Sequence, residues 1–94
     1  MILSYRDKRT SAFADGRFVR EFHGFSRQAY RRLEVLDAAA SLDELRALRG
    51  NRLEALKGDR AGQFSIRVND QWRICFEWRE TGAWRVEIVD YHRG

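Results

Sequence analysis

Three consecutive residues able to hold or move a proton, Asp90-Tyr91-His92, close the last hydrophobic stretch of this 94-residue chain. A carboxylate, a phenol and an imidazole are an uncommon way to end an apolar strand. His92 is one of two histidines, the side chain whose unperturbed pKa lies nearest neutrality. Upstream, Lys57, Arg67 and Arg73 are cations that folding could bring to the same place. A proton-transfer group beside fixed positive charge is what cleavage of a phosphodiester requires.

A metal-free route to RNA cleavage has three demands. The ribose 2′-hydroxyl must lose its proton and line up with phosphorus. Charge growing on the phosphate oxygens must be offset by fixed cations. The departing 5′-oxygen must receive a proton. Tyr91, His92 and Asp90 are the candidate base and acid, and Arg73, Arg67 and Lys57 the candidate phosphate clamp.

Other reactive residue types read more plainly. One cysteine and two widely separated histidines give no spacing that resembles a zinc site, so no metal or other cofactor is expected. Gly58-Asp59-Arg60-Ala61-Gly62 is too short for a nucleotide-binding loop and reads as a connection between strands. Cys75, mid-strand, reads as a packed thiol rather than a nucleophile. His23 reads as solvated or structural.

The formal net charge is +4, and of the eighteen cationic side chains only Lys8 and Lys57 are lysines. Arginine presents a planar fork of donors that matches phosphate oxygens, which favours a polyanionic partner such as RNA. The same bias would follow from a GC-rich genome, so charge alone decides little. At 44% hydrophobic and 13% aromatic, the chain can bury a core as one domain over residues 1–94. No apolar run approaches the roughly 18 residues of a membrane span. The amino terminus lacks a charged region followed by an apolar one, and a single cysteine allows no internal disulfide. The expected location is cytoplasmic, with no membrane partner.

The elements that must position these residues follow from capping and periodicity. Leu3 to Tyr5 reads as a short edge strand. Asp7 is placed to cap a helix over Arg9 to Asp15 that ends at Gly16. Ser26 reads as the N-cap of a longer helix with Phe25, Ala29, Leu33, Leu36 and Ala40 on its buried stripe. Ser41-Leu42-Asp43-Glu44 fits a capping box for a third helix stopped by Gly50-Asn51.

Beyond that the period becomes two. Strands are expected over Arg52 to Leu56, from Phe64 to Val68, from Trp72 to Trp78 and from Trp84 to Asp90, with turns at Asn69-Asp70 and Thr81-Gly82. Tight turns imply antiparallel pairing. The expected fold is α+β, two or three helices on one face of a twisted, mainly antiparallel sheet. Alternation sends Phe64, Ile66, Val68, Trp72, Ile74, Phe76 and Trp78 toward the helices and Arg67 and Arg73 to the opposite, open face. Two arginines on neighbouring strands of a concave sheet can hold one phosphate between them.

Taken in order, the Leu56-Lys57-Gly58-Asp59-Arg60 run, Trp72-Arg73-Ile74 and the closing Asp90-Tyr91-His92 form a specific signature. With Phe13, Gly16 and Leu36-Asp37-Ala38-Ala39, the chain resembles the HigB family of toxins within the RelE group. That resemblance implies a compact RelE-like α+β ribonuclease fold. It implies a ribosome-dependent endoribonuclease that cuts mRNA in the 30S A site. It also implies a HigA-like helix-turn-helix antitoxin, through which alone the chain would reach operator DNA. By position, the family's catalytic set falls on Lys57, Arg67, Arg73, Asp90, Tyr91 and His92. The RNA-binding set reads Arg67, Lys57, Arg60 and Arg73. Some relatives have a histidine where this chain has Glu54. Two other readings use the same basic face: a non-catalytic RNA- or ribosome-binding module, and a decayed toxin that only tunes repression with its antitoxin.

Overall fold

In the computed structural model, which describes residues 1–90, three helices pack on one face of a four-stranded antiparallel sheet of order β1-β2-β3-β4. The helices are α1 (Lys8–Ala14), α2 (Ser26–Ala38) and α3 (Leu42–Ala47); the strands are β1 (Glu54–Ala55), β2 (Phe64–Arg67), β3 (Trp72–Arg79) and β4 (Gly82–Asp90). Asp7 caps α1, its side chain accepting from the Thr10 N–H, and Gly16 follows with a φ of 92°. The capping box at Ser41 and Glu44 forms as expected. So does the α+β layering.

Four local readings need correction. Ser26 is the first residue of α2, not its cap, because a 3-10 helix over Arg20–Phe25 runs straight into it. The final hairpin turns at Glu80-Thr81 rather than Thr81-Gly82, since Arg79 and Gly82 are already paired and Glu80 takes the left-handed φ of 55°. The strand expected over Arg52 to Leu56 shrinks to Glu54–Ala55. Arg52 is left-handed (φ 44°), which no strand accommodates. Instead of a strand over Leu3 to Tyr5, isolated parallel bridges to β4 form at Ile2 (with Ala83) and Tyr5 (with Val86).

A bulge explains the parallel bridges. Cys75 pairs with Glu87 and Glu77 with Trp84, so the single residue Phe76 faces both Arg85 and Val86. Arg85 absorbs the extra residue with φ 53°. The Ser4 hydroxyl accepts from the Arg85 N–H at 2.8 Å, and the Ser4 carbonyl accepts from Val86 at 3.0 Å. The bulge also interrupts alternation, so Ala83, Val86 and Ile88 line the core while Trp84 does not.

Phe22, Leu36, Leu45, Ile66, Ile74, Phe76 and Ile88 are fully buried between helices and sheet. Farther along β4, the Thr10 hydroxyl accepts from the Ile88 N–H at 3.1 Å inside the core. That bond covers a sheet edge that would otherwise carry a buried, unpaired donor. Thr10→Val keeps the shape and removes the acceptor. It is expected to cost about 1–3 kcal/mol in a urea titration, and an unchanged midpoint would show that the donor finds another partner.

Candidate nucleic-acid interface

The sheet face away from the helices is built from two cross-strand rows. In one, Glu54 pairs with Ser65, Ser65 with Cys75 and Cys75 with Glu87. In the next, Arg67 pairs with Arg73 and Arg73 with Val89. The expected placement of two arginines side by side on neighbouring strands is therefore met by the register. Directly opposed side chains in an antiparallel pair lie close enough to share a ligand.

The face is not open at Arg73. Its residue is only 8% exposed, because the segment from Arg49 to Leu56 folds over it and Leu56, Cys75 and Val89 form a small buried cluster alongside. The Arg73 guanidinium donates to the Ser65 hydroxyl at 2.7 Å, to the Arg52 carbonyl at 2.6 Å and to the Ser65 carbonyl at 3.3 Å. Burial of an arginine is tolerated only with such partners. The reading of Arg73 as an open-face residue is thus corrected. Its charge lies under the surface.

The covering segment is itself pinned by one buried side chain. Asn51 is fully enclosed, its amide donating to the Leu45 carbonyl at 3.0 Å and its carbonyl oxygen accepting from Arg32 at 2.6 Å. At Gly50 a β-carbon would meet the Arg32 guanidinium at 2.9 Å, so glycine lets the chain pass. Left-handed Arg52 then aims its carbonyl at Arg73. The part that Ser65, Asn51 and the Arg52 carbonyl play in holding Arg73 is not visible in the sequence. Alternation placed Ser65 on this face, but only strand register reveals that it meets Arg73.

Arg67 lies nearer the surface and pairs with Asp70 at 2.6 Å. That hydrogen bond and the Arg67 charge hold the Asp70 carboxyl below its ordinary value. Arg60 bonds Gln63 at 3.1 Å and reaches Glu87 at 3.4 Å, where Arg6 also approaches at 3.5 Å. Lys57 precedes the 3-10 turn Gly58–Arg60, is exposed, and makes no ion pair among the described residues. Glu54 lies half-buried in β1.

Asp90 faces the opposite side of the sheet from Arg67 and Arg73. It is paired with Trp72, so by the pleat it shares the helix-side face, one residue from the Arg73–Val89 pair but on the other side of the sheet. The Gln71 amide donates to it at 2.9 Å. Tyr91 and His92 lie outside the described residues.

Cys75 is fully buried, and desolvation pushes its thiol up to about 11 from 9.0. The packed reading over the nucleophilic one therefore has a physical basis. The sign follows from linkage: between about 9 and 11 the unfolded chain releases this proton first, so this group's contribution to stability falls as pH rises through that window. A thiol reagent at pH 8 is expected to label Cys75 no faster than the chain unfolds. Rapid stoichiometric labelling of folded protein would refute this.

Residues 4–92 match the family described as the RelE-like toxin of type II toxin-antitoxin system HigB. The chain belongs to that family. It is 51% identical over 49 residues to Toxin HigB-1 of Vibrio cholerae, covering 52% of each chain. It is 39% identical over 61 residues to Endoribonuclease HigB of Proteus vulgaris, covering 65% of each. These alignments thus span between about half and two thirds of the relatives' own length. The solved YoeB/ParE toxin from Agrobacterium tumefaciens superposes with a TM-score of 0.58 at 13% identity, over 98% of this chain and 100% of that one. At that identity the likeness is one of fold, and it agrees with the RelE-like α+β expectation. No helix among the described residues is long and apolar enough to cross a membrane.

Proposed function

We propose that residues 1–94 act as one toxin domain, a ribosome-dependent and metal-independent endoribonuclease that cleaves mRNA in the 30S A site in the cytoplasm. A HigA-like helix-turn-helix antitoxin neutralises it and links it to operator DNA. The observation that carries this reading is the direct pairing of Arg67 with Arg73 across β2 and β3, in a chain of the HigB-like family whose Proteus vulgaris relative bears the name endoribonuclease.

In this scheme Arg67, Lys57 and Arg60 draw the phosphate backbone to the sheet face. Arg73, fixed by Ser65 and Arg52, supplies a field that favours charge growing on the scissile phosphate. Preorganised charge needs no rearrangement at the moment of reaction, which suits a buried guanidinium better than a floppy one. Tyr91 and His92 move the protons. Asp90, across the sheet from Arg73, acts from the strand end rather than within the arginine pair.

One observation favours the non-catalytic alternative. Three donor contacts of Arg73 go to the protein itself, as a scaffold residue's would. The decisive experiment incubates the purified chain with ribosomes translating a defined message and maps the new 5′ ends by primer extension, beside naked message. Cleavage confined to the ribosome-bound message is expected. Intact message in both arms would leave only the binding-module or decayed-toxin readings, and equal cutting of naked RNA would remove the ribosome from the mechanism.

A further inference from the structure

A second cationic surface lies away from the sheet face, and none of the roles above uses it. A cleft of about 360 Å³ opens between α2 and the end of β2, lined by Arg27, Gln28, Arg31, Arg32 and Val68. Arg27 and Arg31 are exposed, one turn apart on α2, and form no ion pair among the described residues. Arg32 is fixed in place by buried Asn51. No carboxylate lines the cleft, although Glu34 shares a neighbouring hollow with Arg27 and Arg31.

Within the cleft lining three guanidiniums gather with no carboxylate among them, and like charges repel. Desolvation, then the charges of Arg67 and Arg31, lower the pKa of Arg32 from its ordinary value. Residues at i and i+4 are about 6 Å apart along the axis, so Arg27 and Arg31 form a row rather than a convergent clamp.

We propose that the α2 cleft is a phosphate-binding groove for the sugar–phosphate backbone of RNA, separate from the sheet face and serving affinity. The choice of RNA rests on the RNA-directed reading above. The cleft chemistry supports that choice against an acidic protein segment. A protein–protein interface centres on exposed apolar or aromatic anchors, and here the one apolar lining residue, Val68, is buried. Interfaces with nucleic acid are instead polar and strongly cationic.

The test is the salt dependence of binding, which counts phosphate contacts independently of cleavage. A fluorescent single-stranded RNA whose riboses carry 2′-O-methyl groups cannot be cut, and is titrated with the full chain by anisotropy at several salt concentrations. The double variant R27Q/R31Q is compared with R20Q/R46Q, which removes the same net charge from exposed arginines off the sheet. Loss of two contacts is expected to flatten the log–log salt slope by about 1.4, twice the roughly 0.7 per contact of a single strand. R20Q/R46Q should leave the slope unchanged.

Equal flattening by both variants would make the effect one of net charge and overturn the groove. An unchanged slope in R27Q/R31Q would do the same while leaving the nuclease reading intact. Binding of a poly-glutamate peptide, but not RNA, to the arginine cleft would also overturn the proposal. No RNA binding by the wild-type chain would overturn the groove, while the ribosome assay decides the nuclease reading separately.

Discussion

Replacing Arg73 by alanine is expected to cost about 3 kcal/mol of stability, the largest single loss predicted for any residue of the candidate site. The guanidinium lies beneath the segment from Arg49 to Leu56 and ties it to β2 through the Ser65 hydroxyl and the Arg52 carbonyl. Hydrogen bonds from a charged donor contribute about 1.5–3 kcal/mol each, and truncation also strands buried acceptors. For a domain this small, that loss lowers the melting temperature by roughly 10–20 °C. Lysine at the same position keeps the charge without the fork of donors and should recover only part of it. Thermal denaturation followed by circular dichroism measures all three proteins. Alanine melting with the wild type would mean that the covering segment does not depend on Arg73.

This result bears on function as well. Activity lost in an Arg73 variant is evidence for a role in chemistry only when assayed well below that variant's own melting temperature. The lysine variant supplies the useful contrast: a folded, charged but inactive protein would point to the geometry of the fork at the phosphate.

Replacing His92 by alanine should lower the rate of message cleavage on saturating ribosomes by about 10²–10⁴-fold, the usual worth of a positioned general acid or base. At about 1.36 kcal/mol per tenfold, that is roughly 3–5.5 kcal/mol of transition-state stabilisation. Binding to ribosomes, measured separately, should change little. The wild-type rate should bend in the neutral pH range, where an imidazole exchanges its proton, and the variant should lose that bend. An unaltered rate would take His92 out of the chemistry and shift the proton transfers to Tyr91 or Asp90.

Sequence reasoning was strongest where structure is decided locally. Asp7 and Ser41 announced helix starts because a side-chain oxygen three residues before an orphan N–H satisfies it whatever the rest of the chain does. Alternation from Phe64 to Trp78 announced strands and put Arg67 beside Arg73. It failed in β4, where one left-handed residue, Arg85, inserts a bulge that no run of residue types foretold. It also missed the 3-10 helix before α2, whose hydrogen bonds are too short-ranged to leave an apolar stripe.

The candidate site divides along the same line. Residue types alone supplied the cations, the proton carriers and the resemblance to a toxin family, because chemistry depends on which groups are present. Whether a cation meets solvent depends on what else covers it, and that is a property of distant chain. Arg73 is buried because Asn51, far from it in sequence, holds the covering segment in place. Asp90 lies across the sheet from Arg73 because register, fixed by pairing along whole strands, decides its face. The sequence by itself determined the layers, the arginine pair and the family; burial and facing were decided only when the strands and the segment over them came together.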